Sequence, residues 1–400
     1  MDHNEDLNSR DLRFEASDRH YVNRREPPIF LFVVCSCIVI LLVTAVYFRA
    51  QVHEVWDNLI GSKKQSEMYL KGLSSKLQLS QELPRWVLGQ SALVSSLDRL
   101  NREGCDRVGI FSLAEALSGG GYPRDGSDAL IKFALRCRNG DDALFEAARI
   151  LADISDYGQV IKITSRLIES APASSQLRYM RADAFQAEGQ FEKAISDYVS
   201  TIELVSNTKN VSSSVFTDLA NSYASLKRFC EAMAPIQMWI AVDPANRDTT
   251  QARTVISEYA KKGNCSLAYA TGSDRFFTQG SGTIKAKVEI NGVAGTFIID
   301  TGASLVSLDS AFAKRANVNL DTNNRVRLQT ANGTTEGLVG VANKVKLGRL
   351  TATDVAVVVG MGNSASLGGD IDGLLGMSFL ARYEMTVSGR ELRLTEKKIF

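Results

Sequence analysis

Histidine is nearly missing from this chain. Its 400 residues hold three, His3, His20 and His53, and none follows. A Ser-His-Asp triad, a Cys-His thiol protease and a His-ligated zinc site each need an imidazole in the folded body, so those chemistries are excluded there. A surplus of one charge is also lacking, with 46 Lys and Arg against 45 Asp and Glu. That balance, with 44% hydrophobic and 23% charged residues, describes an ordinary globular chain and argues against a basic surface that binds nucleic acid. C-x-x-C spacing is absent, which removes a zinc ribbon and a thioredoxin-type site. No motif asks for a cofactor. At about 150 residues per domain the length allows two to three domains.

One long apolar run is present. Ile29 to Phe48 is 20 residues without a charge, which at about 1.5 Å per residue matches a hydrocarbon core of about 30 Å. It reads as a single transmembrane helix. A cleaved signal peptide has a shorter apolar region of about 7 to 15 residues and a small-residue cleavage site, whereas this run ends Val46-Tyr47-Phe48-Arg49. Arg10, Arg13, Arg19, Arg24 and Arg25 precede it, and Arg49, Lys63 and Lys64 follow. That bias puts the N-terminal tail, residues 1–28, in the cytoplasm and the body outside, in a bacterium in the periplasm.

Cys35 and Cys37 lie inside the apolar run, leaving Cys105, Cys137, Cys230 and Cys265 in the body. The even number is compatible with two local bridges, Cys105 to Cys137 and Cys230 to Cys265, and with an oxidising compartment. Four cysteines allow three connectivities, and free thiols are the alternative.

Residues 49–140 read as a helical stalk and pre-repeat region. Over 141–264 a period near 34 emerges, and the run Arg181 to Ala194 (RADAFQAEGQFEKA) resembles a tetratricopeptide repeat. Ala220, Tyr223, Phe229, Ala232 and Pro244 repeat the pattern, and Ala148, Leu151, Tyr157 and Pro172 give a weaker copy. Small residues at these steps let paired helices approach, while aromatics fill the gap to the next pair. A concave groove for a peptide or partner protein is one expectation; a spacer or intramolecular clamp is the other.

Residues 265–280 read as a linker, and the pattern then alternates with period two. Gly282 to Ile290 is followed by an Asn291-Gly292 turn and by Gly295 to Ile299, which runs into Asp300-Thr301-Gly302-Ala303-Ser304. Three apolar residues before Asp300 place its carboxylate at the buried end of a strand, where it needs partners. Thr301 offers a hydroxyl to neighbouring backbone, and Gly302 permits a tight turn. Downstream, Ala331-Asn332-Gly333 makes a hairpin tip, and Asp372-Gly373-Leu374-Leu375-Gly376 leads into a short helix. Asp370 and Asp372 lack the further oxygen ligands of a calcium loop, so no metal site is assigned.

These three motifs, in this order, resemble those of the retropepsin-like aspartic proteases, and their wording is similar to bacterial membrane-anchored members. The resemblance covers roughly residues 270 to 400 and implies an all-β protease domain over 281–400. It implies that Asp300 is the catalytic acid/base, with Thr301, Gly302, Ala303 and Ser304 as its supporting loop. Ala331, Asn332 and Gly333 become a flap, and Leu374, Leu375 and Gly376 support the loop from beneath. No second D-T-G or D-S-G occurs, so the resemblance implies a homodimer in which two copies of Asp300 meet. The resulting expectation is a multidomain, single-pass, membrane-anchored aspartic endopeptidase whose helical repeats recruit a protein substrate or partner. A catalytically silent dimeric scaffold is the alternative, and processing of its own linker near Thr271 to Gly280 is a third.

Overall fold

The computed structural model describes residues 91–397, apart from 206, 266–268, 279–282, 331–332 and 362–369, together with short pieces between 65 and 86. The apolar run at 29–48 lies outside the described residues. Among those described, no helix is long and apolar enough to cross a membrane.

Helices fill the first half: α1 (Ser91–Arg102), α2 (Arg107–Gly119), α3 (Pro123–Arg136), α4 (Asp141–Asp153), α5 (Tyr157–Ser170), α6 (Ser175–Ala187), α7 (Phe191–Glu203), α8 (Ser213–Ser225), α9 (Phe229–Val242), α10 (Pro244–Arg247) and α11 (Thr250–Gly263). Local sequence sets their ends. Asp106, Ser174 and Thr249 cap α2, α6 and α11 by accepting from Gly109, Leu177 and Ala252 N–H, and Asn264 closes α11 in the left-handed region. Helices α2, α4, α6 and α8 start at 107, 141, 175 and 213, stepping by 34, 34 and 38 residues. The paired helices therefore begin one unit earlier than the sequence pattern at 141 suggested. Gly and hydroxyl residues in α2 and α3 obscure the repeat there without preventing the pairing. Ala148, Ala182, Ala194, Ala220 and Ala232 are fully enclosed, where a larger side chain would separate the pairs. Cys105 is bonded to Cys137 and Cys230 to Cys265, closing the α2–α3 pair and tying α9 to the end of α11.

The second half is a β domain: β1 (Ala270–Thr271), β2 (Ser273–Phe277), β3 (Ile284–Ile290), β4 (Val293–Ile299), β5 (Val306–Leu308), α12 (Ser310–Arg315), β6 (Asn319–Thr330), β7 (Gly333–Leu347), β8 (Leu350–Gly360), β9 (Gly373–Leu375), α13 (Met377–Leu380), β10 (Tyr383–Ser388) and β11 (Glu391–Glu396). Eight strands are ordered β1-β8-β5-β9-β4-β3-β7-β6, with β7 also paired to β8, and β10-β11-β2 form a second sheet. Positive φ at both Asn291 and Gly292 gives the two-residue turn that joins β3 to β4.

Residues 265–280 are not a free linker. Ser273–Phe277 is the edge strand beside β11, and Tyr269 is buried with its hydroxyl donating to Gln237 Oε1 of α9 at 3.0 Å. Arg382, 1% exposed, donates to the carbonyls of Tyr269, Thr353, Asp354 and Ser378 and stacks on the Tyr269 ring. An aromatic and a period-two pattern in this stretch outweighed its Gly and Ser content.

Two of the apolar clusters among the described residues meet in an unexpected place. One joins α4, α5 and α6 through Leu144, Leu151, Val160, Leu167 and Leu177. The other is continuous from Ala182 and Phe185 of α6 through α7, α8 and α9 to Phe297, Val357 and Leu394 of the β domain.

Candidate active site

Strand β4 delivers Asp300. Ile299 pairs with Ile284 on one side and with Leu375 on the other, so the chain leaves the strand between two neighbours. β9 lies between β4, to which it is parallel, and β5, to which it is antiparallel. Asp300 to Leu305 thus forms the loop that bridges the two strands flanking β9. Backbone bonds fasten it from below: Asp300 N–H donates to Leu375 O at 3.1 Å, Met377 N–H to Ala303 O at 2.8 Å, and Ser378 N–H to Ser304 O at 2.9 Å. The Ser378 hydroxyl accepts from Val306 N–H at 3.0 Å and donates to Ala356 O at 2.7 Å.

Two glycines are required by contact. A Cβ on Gly376 would lie 2.1 Å from Leu305 O, and one on Gly373 would lie 2.3 Å from the Phe297 ring. Gly302 has a different reason from the turn expected of it, since its φ is not positive. Its N–H donates to Asp300 Oδ1 at 2.8 Å, and an added Cβ would come to 3.1 Å from that oxygen. Glycine here lets the loop close on its own carboxylate.

Asp300 is half-buried, and Thr301 and Gly302 are exposed, while Ser304 is buried. The apolar residues before Asp300 therefore carry the carboxylate to the edge of the core rather than into it. The β6–β7 hairpin narrows to Thr330 opposite Gly333, which has φ +104°, and the Thr330 hydroxyl donates to Gly333 O at 2.7 Å. Ala331 and Asn332 lie outside the described residues. Leu374 and Leu375 are the β9 residues paired with Ile298 and Ile299. Asp372 serves structure: it accepts from Thr296 N–H at 2.8 Å and pairs with Arg315 at 3.1 Å.

One residue near the loop escaped the sequence reading. Glu203, the last residue of α7, places its carboxyl against Ser304 and Leu305. Its Oε1 is enclosed without a hydrogen-bond partner. Burial pushes this carboxyl up to about 7 and repulsion from Asp300 adds to the rise, while hydrogen bonding from the Ser304 side chain and the Leu305 N–H opposes it. Glu203 carries no motif, but its helix carries a signal: α7 has no charge from Tyr198 to Ile202, and α9 none from Ala232 to Val242. A helix without a polar face is covered on all sides.

Residues 286–379 match the family model for aspartyl protease. No curated protein matches the chain. Among solved structures, a retropepsin-like aspartic protease from Rickettsia conorii is similar at 25% identity, over 31% of this chain and 99% of that one, with a TM-score of 0.26. The helical half is similar to MamA from Desulfovibrio magneticus, at 14% identity over 39% of this chain and 84% of that one, with a TM-score of 0.33. It is also similar to the Sgt2 TPR domain from Aspergillus fumigatus, at 19% identity over 32% and 84%, with a TM-score of 0.27. The chain carries tetratricopeptide-like helical repeats followed by a β domain that matches the aspartyl protease family over residues 286–379.

Proposed function

We propose that the protein is an aspartic endopeptidase in which two chains each supply one Asp300. The observation that carries this reading is the loop itself, with Gly302 N–H bound to Asp300 Oδ1 and β9 fastening the backbone on both sides. Such a frame holds one carboxylate at the edge of the core, with Thr301 exposed beside it on the loop that a partner chain would meet. Two carboxylates at close range share one proton. The charged one takes a proton from a water whose oxygen attacks the peptide carbonyl carbon, and the neutral one gives its proton to the carbonyl oxygen. Collapse of the resulting diol breaks the C–N bond, and the amine leaves with a proton returned by the dyad. This shared-proton scheme is the established one for aspartic proteases.

In the same reading the run at 29–48 anchors the chain in a bacterial inner membrane with the protease domain on the periplasmic side, and the repeats recruit a protein substrate or partner. The test is cleavage of a denatured-protein mixture between about pH 4 and 7, beside an Asp300→Asn variant with verified folding. Cleavage that is lost in the variant and blocked by a hydroxyl-bearing transition-state mimic supports the mechanism. Undiminished cleavage by Asp300→Asn would sink it.

A further inference from the structure

Helices α7 and α9 are covered on faces that a free-standing repeat array leaves to water. From Ala194 to Ile202 every residue of α7 is buried, and α9 is buried from Ala232 to Met238. What covers them is the chain's own β domain. The Ser200 hydroxyl of α7 accepts from Arg327 N–H of β6 at 3.0 Å, so one strand of the flap hairpin is tied to the repeats. Ile202 and Met238 line a narrow crevice with Thr301, Gly302, Ser304 and Met377. Glu203 closes the other side of the same loop.

The polar accounting of this seam is incomplete. Apart from Asp142, which is ion-paired with Arg107, the buried side-chain atoms lacking a hydrogen-bond partner among the described residues are Arg178 Nε, Arg327 Nε and Glu203 Oε1. All three lie along the seam: Arg178 of α6, ion-paired with Asp197 of α7 at 3.0 Å, lies near Arg327 of β6, and Glu203 lies against the Asp300 loop. Buried groups that water would satisfy better favour separation. The apolar contacts hold the seam shut, and the unsatisfied atoms keep that hold modest.

Resting on the reading of Asp300 as half of a two-chain site, we infer that α7 and α9 dock on the loop a second protease domain must reach, so that docking and dimerisation compete. Two Asp300 carboxylates must approach to about 3 Å to share a proton, and the docked helices stand at the rim of that approach. The docked chain is a latent protease, and a protein that draws α7 and α9 away from the β domain switches it on. The occupant of this half of the repeat array is thus the protease domain itself, leaving the α2–α5 half for the activating partner.

The experiment compares the full chain with Ile202→Asp and Ser200→Ala, each with and without Asp300→Asn, by sedimentation velocity, cleavage of casein and hydrogen exchange. The unaltered chain is expected to be monomeric at concentrations where Ile202→Asp dimerises about tenfold more tightly or better, with cleavage rising in step; Ser200→Ala, which removes the acceptor of the Arg327 N–H, shifts the same way by less. Dimers of the variants that do not cleave would leave the competition standing and remove the protease reading. A dimer of the unaltered chain that keeps α7 protected from exchange would overturn the competition, as would folded variants that stay monomeric. Should Ile202→Asp fail to fold, Ser200→Ala, which removes a single oxygen, decides the matter.

Discussion

Helices α5 and α7 are each the second helix of a repeat, yet they are buried differently. In α5 the buried residues are Val160, Ile163, Thr164, Leu167 and Ile168, the single stripe of an amphipathic helix. In α7 burial runs without a break from Ala194 to Ile202. The stripe of α5 needs only its neighbours in the array, whereas α7 needs the β domain as well. The structural boundary consequently falls inside the repeats, between the α4–α6 cluster and the cluster shared with the β domain. The chain reads as helices then strands, but it packs as an open helical half and a mixed half.

The largest effect is expected from Gly376→Ala, whose Cβ would meet Leu305 O at 2.1 Å; overpacking against backbone should cost about 3 kcal/mol or more. Hydrogen exchange should show protection lost in the β domain and in α7 and α9 together, with α4 and α5 unchanged. Independent loss in the β domain alone would break the claim of a shared core. Leu167→Ala in α5 should cost about 2 to 5 kcal/mol by cavity formation, with lost protection confined to α4–α6 and no change in dimerisation. Next come the disulfides. Replacing Cys105 and Cys137 by Ser should cost about 3 kcal/mol and loosen α2 and α3, while the same change at Cys230 and Cys265 should loosen α9 and the seam; limited proteolysis locates each effect.

The smallest effect is that of pH. The Glu203 carboxyl is raised from 4.5 to about 7, and Asp183 of α6 from 3.8 to about 6, both chiefly by burial. Between the unfolded and folded values the folded chain binds more protons, so this stability is complete below the unfolded values and lost as pH rises through about 6 to 7. The melting temperature should fall from pH 4.5 to 7.5, and Glu203→Gln should reduce the fall, leaving the Asp183 part. Identical slopes for both proteins would remove Glu203 as a titrating member of the seam.

Much of this was legible locally. The 34-residue step, Ala182 and Ala220 at helix contacts, the Asn291-Gly292 turn and the Asp300-Thr301-Gly302 loop all follow from spacing and residue type. Gly302 was assigned a turn where the structure uses its lack of a Cβ against Asp300. Cysteine spacing leaves three connectivities, and the structure has the one made of the two local bridges. The stretch 265–280 carries Gly, Ser and Thr as a linker does, yet Tyr269 and Arg382, distant in sequence, strap it down.

Periodicity, caps, turns and short motifs act over a few neighbouring residues, and they suffice for the series of elements and the chemistry of the loop. Which faces meet was decided by tertiary structure alone. Glu203 reaches Ser304 and Ser200 reaches Arg327 only after helices and strands have formed and their apolar surfaces have found each other. Burial is a property of the assembled pair of surfaces, and neither surface states its partner in its own sequence.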